Sequence, residues 1–180
     1  MQPSLRFDPE LLLAAQGIRV AFFDVDGVLT DGSLYLTDAG ETFKRFHIQD
    51  GLGLLLLQRA GIVPAVISGR DSPTLRARLA SLGIVHVHYG VEYKAPAAEA
   101  TLKALGFGWG EAAAIGDDWA DLPLLRRCAF SAAPANAHAE VKAVARHVTA
   151  AEGGNGAARE FCDLLMVASG RYAQLLEGYQ

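Results

Sequence analysis

Cysteine is scarce. Cys128 and Cys162 are the only two in 180 residues, and they show neither metal-ligand spacing nor a partner motif. Reduced thiols packed in a core are the expectation, ahead of a redox or thiolate-metal role. A cationic surplus is missing as well. Sixteen Lys and Arg face twenty Asp and Glu, the formal charge is −4 and the pI is about 5.7. Without a basic stripe, nucleic acid is not an expected partner. Long apolar runs are absent: Leu52 to Leu57, interrupted at Gly53, is far too short to cross a bilayer. The opening MQPSLRFDPE carries acids and lacks a charged region followed by an apolar run. No signal peptide is therefore expected, and a cytoplasmic location is. There is no internal repeat and no low-complexity tract.

What remains is 51% hydrophobic and 20% charged, the balance of a globular protein. The length suits one domain over residues 1–180. A chain of this size buries roughly two-thirds of its unfolded surface, so a core needs no covalent staples. Apolar runs at Ile18–Phe23, Ile62–Ile67, Val85–Tyr89, Ala112–Ile115, Cys128–Ser131 and His147–Thr149 read as short buried strands. Pro9–Gln16, Asp50–Ala60, Thr74–Leu82, Pro96–Leu105 and Trp119–Arg127 read as helices. Strand alternating with helix predicts an α/β fold, a Rossmann-like doubly wound and mostly parallel sheet, with ligands bound at the carboxyl ends of the strands. One stretch departs from this. Residues 33–46 alternate at Leu34/Leu36 and at Thr42/Lys44/Phe46 around a Thr37-Asp38-Ala39-Gly40 turn, which predicts a β-hairpin inserted after the first strand. The tail, 153–180, opens with GGNG and continues as an amphipathic helix bearing Phe161, Leu164, Leu165 and Val167.

Four places carry chemistry. In FFDVDGVLTDG an apolar strand runs into Asp24 and Asp26, and Gly27 lets the backbone turn so that a ligand can approach. In IGDDWAD a second strand ends in Asp117 and Asp118, with Asp121 one turn on. Acids converging on one site repel unless a cation compensates, and an all-oxygen donor set describes Mg²⁺ rather than Zn²⁺. Asp118 and Asp121 have a second reading, as acids favouring the N-terminal end of the following helix. In VISGRDSP, Ser68 and the amides around Gly69 suit a phosphate oxygen. In GVEYKAP, Lys94 is a point charge suited to a phosphoryl group and to an aspartate nucleophile. His86 and His88 share a strand face but lack a third ligand, so they read as rim residues.

The order strand–DxD, strand–Ser-Gly, Lys, strand–GDD resembles the haloacid dehalogenase-like phosphatase superfamily in its capless form. The longer series DVDGVLTDG, GETFKRF, DGLG, SGR, YGVEYK, GDDWADLP and GGNGAARE resembles one family of it over Ile18 to Glu160, the 3-deoxy-D-manno-octulosonate 8-phosphate phosphatases. That resemblance implies Asp24 as nucleophile, and Asp26 as the acid that protonates the leaving oxygen and then the base that activates water. It implies Mg²⁺ on the Asp24 carboxylate, the Asp26 carbonyl and Asp117, with Ser68 and Lys94 on the phosphoryl oxygens. It implies substrate contacts at His47, Ile48, Gln49, Asp50, Gly51, Gly69, Arg70 and Arg78. Two positions depart from the family pattern: Leu55 stands where a polar or basic residue, often arginine, is expected, and His47 where a smaller amide is. A phosphatase for a nine-carbon keto-acid phosphate is the alternative substrate reading, and a catalytically silent subunit the non-enzymatic one. Neither gap between the motifs is long enough for a cap domain, so water exclusion falls to the substrate or to a neighbouring subunit. The resemblance implies a homotetramer with hairpins meeting between subunits. It also leads to the expectation that the GGNG segment and Arg159 reach a neighbouring site.

Overall fold

The computed structural model describes residues 4–38 and 40–179; Ala39 of the predicted hairpin turn lies outside the described residues. Helix α1 (Pro9–Ala14) precedes strand β1 (Val20–Phe23). The hairpin follows, as β2 (Tyr35–Thr37) and β3 (Gly40–Phe43). Then come α2 (Ile48–Arg59), β4 (Val63–Ile67), α3 (Pro73–Ser81), β5 (His86–His88) and α4 (Lys94–Leu105). The chain continues as β6 (Ala112–Ile115), α5 (Leu122–Arg127), β7 (Phe130–Ala133), α6 (Ala139–Val144) and β8 (His147–Val148), and finishes with α7 (Ala157–Ala168) and α8 (Tyr172–Glu177). Six strands form one sheet in the order β5-β4-β1-β6-β7-β8 with every pairing parallel, and β2–β3 stand apart as an antiparallel ladder. This is the predicted α/β architecture.

The strands read as unbroken apolar runs because helices cover both faces. Ala21, Phe23, Val66, Ala113 and Ile115 belong to the same core as Leu54 and Leu57 of α2, Leu75 and Leu79 of α3, and Phe161 and Leu165 of α7. Residues of opposite parity, Val20, Phe22, Ala65, Ile67, Ala112 and Ala114, meet Ala98 and Leu102 of α4, Leu124 and Leu125 of α5, and Val141 of α6. Phe161 packs edge to face on Phe23 at 5.5 Å, a contact worth about 1 kcal/mol beyond the area it buries. The glycine that interrupts the leucine run has a packing reason. A Cβ on Gly53 would stand 3.1–3.3 Å from Arg159 and Cys162 of α7, so glycine lets the two helices close on each other.

Some elements differ from their predicted form. Trp119–Arg127 is not one helix. Asp118 accepts from Trp119 N at 2.8 Å and starts a 3-10 turn over Trp119–Asp121, and Pro123 then sits in the first turn of α5. β7 begins at Phe130 rather than Cys128, because Cys128 N still closes α5 onto Leu124 O. α4 begins at Lys94, two residues ahead of the predicted start. α6 and α8 escaped prediction. Each is six residues long, α6 buries only Val141, and its cap is the His138 ring accepting from Glu140 N, an unusual capping residue. Among the described residues, no helix is long and apolar enough to cross a membrane.

Candidate active site

Parallel register brings the three acidic and hydroxyl motifs together. Phe23 pairs with Val66 of β4 and with Ile115 of β6. The residues just beyond, Asp24, Ser68 and Asp117, therefore leave the same edge of the sheet side by side. Asp24 N continues the ladder onto Ile115 O at 3.2 Å. Ser68 is fully buried, anchored by its amide to His88 O, and its Oγ accepts from Arg70 N at 3.1 Å.

Lys94 ties the cluster together. Its buried Nζ lies 2.5 Å from Asp24 Oδ1 and 2.6 Å from Asp121 Oδ1. Burial works against the ammonium, but Asp24 and Asp121 overcome it and hold the Lys94 pKa above its ordinary value. Asp121 also accepts through Oδ2 from the amides of Asp117 and Asp118, at 3.1 and 3.4 Å. Of the two readings offered for this residue, the structure combines both: Asp121 closes the capping box of the turn after Asp118 and orients Lys94 within the acid cluster. Asp118 is the capping residue. Two glycines make the crowding feasible. A Cβ on Gly116 would overlap the Asp121 side chain. One on Gly27, whose φ of 98° already favours glycine, would overlap the Asp117 carboxylate.

The carboxylates of Asp24, Asp117 and Asp121 each offer an oxygen within 4.8 Å of the others. One lysine does not neutralise three acids. Burial and then the charge of Asp121 push Asp24 up to about 6, while burial followed by Asp24 and Asp121 pushes Asp117 up to about 8. Carboxylates held this far above their ordinary range lack a compensating cation. The donors are hard oxygens throughout, so the cluster fits Mg²⁺.

The expected substrate positions divide. His47, Gly51 and Arg78 meet in a cleft with Leu29, Phe46 and Leu79. There Arg78 Nη2 donates to His47 O at 3.5 Å and the guanidinium lies 5.8 Å from the Phe46 ring centroid. Ile48, Gln49, Gly69 and Arg70 are exposed around the rim. Asp50 lines the same cleft as His47, Gly51 and Arg78, and it has structural partners as well. It is 2% exposed, and its two oxygens accept from Arg159 N at 2.8 Å and Gly156 N at 3.3 Å, fastening the start of α7 to α2. Arg159 is likewise turned inward, its Nε 2.8 Å from Asp163 Oδ1 one turn along α7. The glycine-rich segment packs on its own chain. Gly154 N donates to Val28 O at 2.9 Å, and a Cβ on Gly153 would overlap the Gly27 carbonyl. Leu55 is half-buried against the core, so the departure at this position falls on the core side of α2.

Comparison with known proteins agrees with this geometry. The sequence profile of haloacid dehalogenase-like hydrolases matches residues 57–161. The 3-deoxy-D-manno-octulosonate 8-phosphate phosphatase of Haemophilus influenzae is 44% identical over 156 residues, 87% of each chain. That of Escherichia coli K12 is 38% identical over 162 residues, 90% of this chain and 86% of the relative. The chain belongs to this phosphatase family. The fold agrees: the Moraxella catarrhalis phosphatase, solved with magnesium, phosphate and KDO, superposes with a TM-score of 0.91 at 37% identity, covering 95% of this chain and 98% of that one. The cobalt-bound Haemophilus influenzae phosphatase gives 0.87 at 42% identity over 91% of this chain and 98% of that one.

One residue of this family member's site was missed from sequence. Lys44 Nζ lies 2.5 Å from Asp26 Oδ1, with the lysine side chain 1% exposed. A signal was present. Lys44 shares parity with Phe46, and in the structure both turn inward while Phe43 and Arg45 turn out. A lysine on the inward side of an alternating segment needs a buried anion, and the nearest acid motif is the DxD.

Proposed function

We propose that the chain hydrolyses 3-deoxy-D-manno-octulosonate 8-phosphate to the free sugar acid and phosphate, in the cytoplasm, as a step toward lipopolysaccharide. The observation that carries this reading is the Lys94–Asp24 pair inside a carboxylate cluster at the strand ends, with Asp26 two residues on. Asp24 attacks phosphorus. The Asp24–phosphorus bond forms as the bond to the sugar oxygen breaks, and Asp26 delivers a proton to that oxygen. Water then attacks the aspartyl-phosphate and Asp26 takes its proton. Phosphate leaves, and the Asp24 carboxylate is restored. Lys94 holds Asp24 in place and, with Ser68, neutralises and orients the phosphoryl oxygens. Asp24, Asp117 and the Asp26 carbonyl would hold Mg²⁺, which offsets the repulsion between nucleophile and phosphate. His47, Gly51, Arg70 and Arg78 line the approach for the sugar, the arginines being suited to its carboxylate. The resemblance further implies a tetramer.

The test is phosphate release from a panel of eight- and nine-carbon keto-acid phosphates, with and without Mg²⁺, using Asp24→Asn as control. Preference for the eight-carbon ester, dependence on Mg²⁺ and an inert Asp24→Asn are expected. Turnover by that variant would refute the mechanism, and a nine-carbon preference would refute the substrate.

A further inference from the structure

We propose that Lys44 is a positioning residue for Asp26, so that the return leg of the hairpin sets where the acid–base carboxylate stands. This rests on the phosphatase reading above. Asp26 needs an anchor that its own segment does not supply. It lies past the end of β1, outside the ladder, and Gly27 at φ 98° turns the chain immediately after it. Its side chain is 25% exposed, so packing alone does not fix its rotamer. Lys44 comes from eighteen residues away and grips Oδ1, which leaves Oδ2 for the transferred proton.

The grip is stiff because the leg that carries it is pinned on its outer side. The adjacent Arg45 donates from Nη1 to Asp31 Oδ2 at 3.3 Å and from Nη2 to Asn155 Oδ1 at 2.8 Å. One contact reaches the DxD loop and the other the glycine-rich segment packed behind it. A lysine stem free in solvent has too many rotamers to place a partner well. Here the ammonium is buried, and the side chain of the adjacent Arg45 makes two contacts that hold the leg in place. The hairpin is therefore part of the proton-transfer apparatus, even though none of its own atoms meets phosphorus in this scheme.

A lysine that only stabilised the fold would, when removed, slow all substrates alike. One that places Asp26 would slow those that need a proton on the leaving oxygen. A sugar alkoxide needs that proton as the phosphorus–oxygen bond breaks, and p-nitrophenolate leaves without it. The experiment compares kcat/KM for the octulosonate phosphate and for p-nitrophenyl phosphate in wild type, Lys44→Met and Lys44→Arg. In Lys44→Met the sugar phosphate should lose about 100-fold, the low end of what a positioned acid contributes, and the aryl phosphate only a few-fold. Lys44→Arg, which keeps charge and reach, should recover most of the loss. An equal loss on both esters, no loss, or no recovery in a folded Lys44→Arg overturns the proposal. If Lys44→Met does not fold, Arg45→Ala replaces it in the same comparison: it loosens the leg and leaves the ammonium in place. A loss confined to the sugar phosphate then supports the proposal, and an equal or absent loss overturns it. A wild-type chain inert toward both esters would sink the phosphatase reading and this inference with it, whereas an active wild type with an indifferent Lys44→Met sinks this inference alone.

Discussion

Asp117→Asn separates the cost of an acid cluster from its use. In the metal-free chain, burial and then Asp24 and Asp121 push Asp117 from 3.8 up to about 8. Unfolded, it titrates as an ordinary carboxylate. The folded chain therefore binds the extra proton between about pH 4 and 8, and its stability falls as pH rises through that window. At about 1.4 kcal/mol per unit, the displacement corresponds to roughly 5–6 kcal/mol. Water reaches Asp117, so about half of that, on the order of 2–3 kcal/mol, should survive screening. For a chain of this length this means a metal-free Tm lower by roughly 5–10 °C at pH 9 than at pH 5. Mg²⁺ takes the proton's place, so its stabilising effect should grow with pH. In Asp117→Asn the slope above pH 6 should vanish, and Mg²⁺ should restore little. A residual slope below pH 6 remains, because Asp24 is still pushed up by burial and by Asp121. Calorimetry in chelator and in excess Mg²⁺ reads both effects, and the difference from wild type cancels the histidines common to the two. An Asn variant that keeps the wild-type slope between pH 6 and 9, or that Mg²⁺ stabilises as much as wild type, would refute the reasoning.

Three further outcomes are expected. Asp121→Asn loses the charge that holds Lys94, a charge-assisted bond worth about 1.5–3 kcal/mol, so kcat/KM should fall about 10- to 100-fold in phosphate release while circular dichroism stays unchanged. Asp50→Ala strands the amides of Gly156 and Arg159 at about 1–3 kcal/mol each. The denaturation midpoint should drop with KM unmoved, and a KM rise at full stability would instead put Asp50 on the substrate. Gly153→Ala drives a methyl into the Gly27 carbonyl, so urea melts should show a loss of about 1–3 kcal/mol accompanied by slower turnover from the displaced DxD loop.

The sheet was legible because its central strands β1, β4, β6 and β7 are buried between two helical layers. IRVAFF and AAAI carry few polar residues to confuse the reading, and the residue that ends each run is chemically conspicuous. The family pattern was legible for the same reason: its motifs sit at the ends of apolar strands, which the parallel register brings to one edge of the sheet. What escaped were elements without such contrast. α6 has one buried residue and a histidine cap, and α8 buries none. A six-residue helix held by that little contact leaves no periodicity to read.

The site itself was harder to read where a residue's partner lies far off in sequence. DGLG follows the hairpin and looks like part of a substrate loop, and nothing local says that Asp50 also serves residues 156 and 159. Its fate depends on α7 packing over Gly53, a contact more than a hundred positions away in the chain. Lys44 is the converse case. Its parity with Phe46 hints at burial, but only the fold of residues 24–31 beneath it shows that its partner is Asp26. Both cases have one cause. An isolated polar side chain announces its chemistry but not its depth, and depth decides whether that chemistry is structural or available. Among the described residues, the buried charges Asp24, Lys44, Asp50, Lys94 and Asp121 find partners across long sequence separations, and Asp163 finds Arg159 one helical turn away, as unpaired burial would cost several kcal/mol each. The same long-range pairing that hid the partners of Asp50 and Lys44 from the sequence ties the carboxylate cluster together once the sheet has formed.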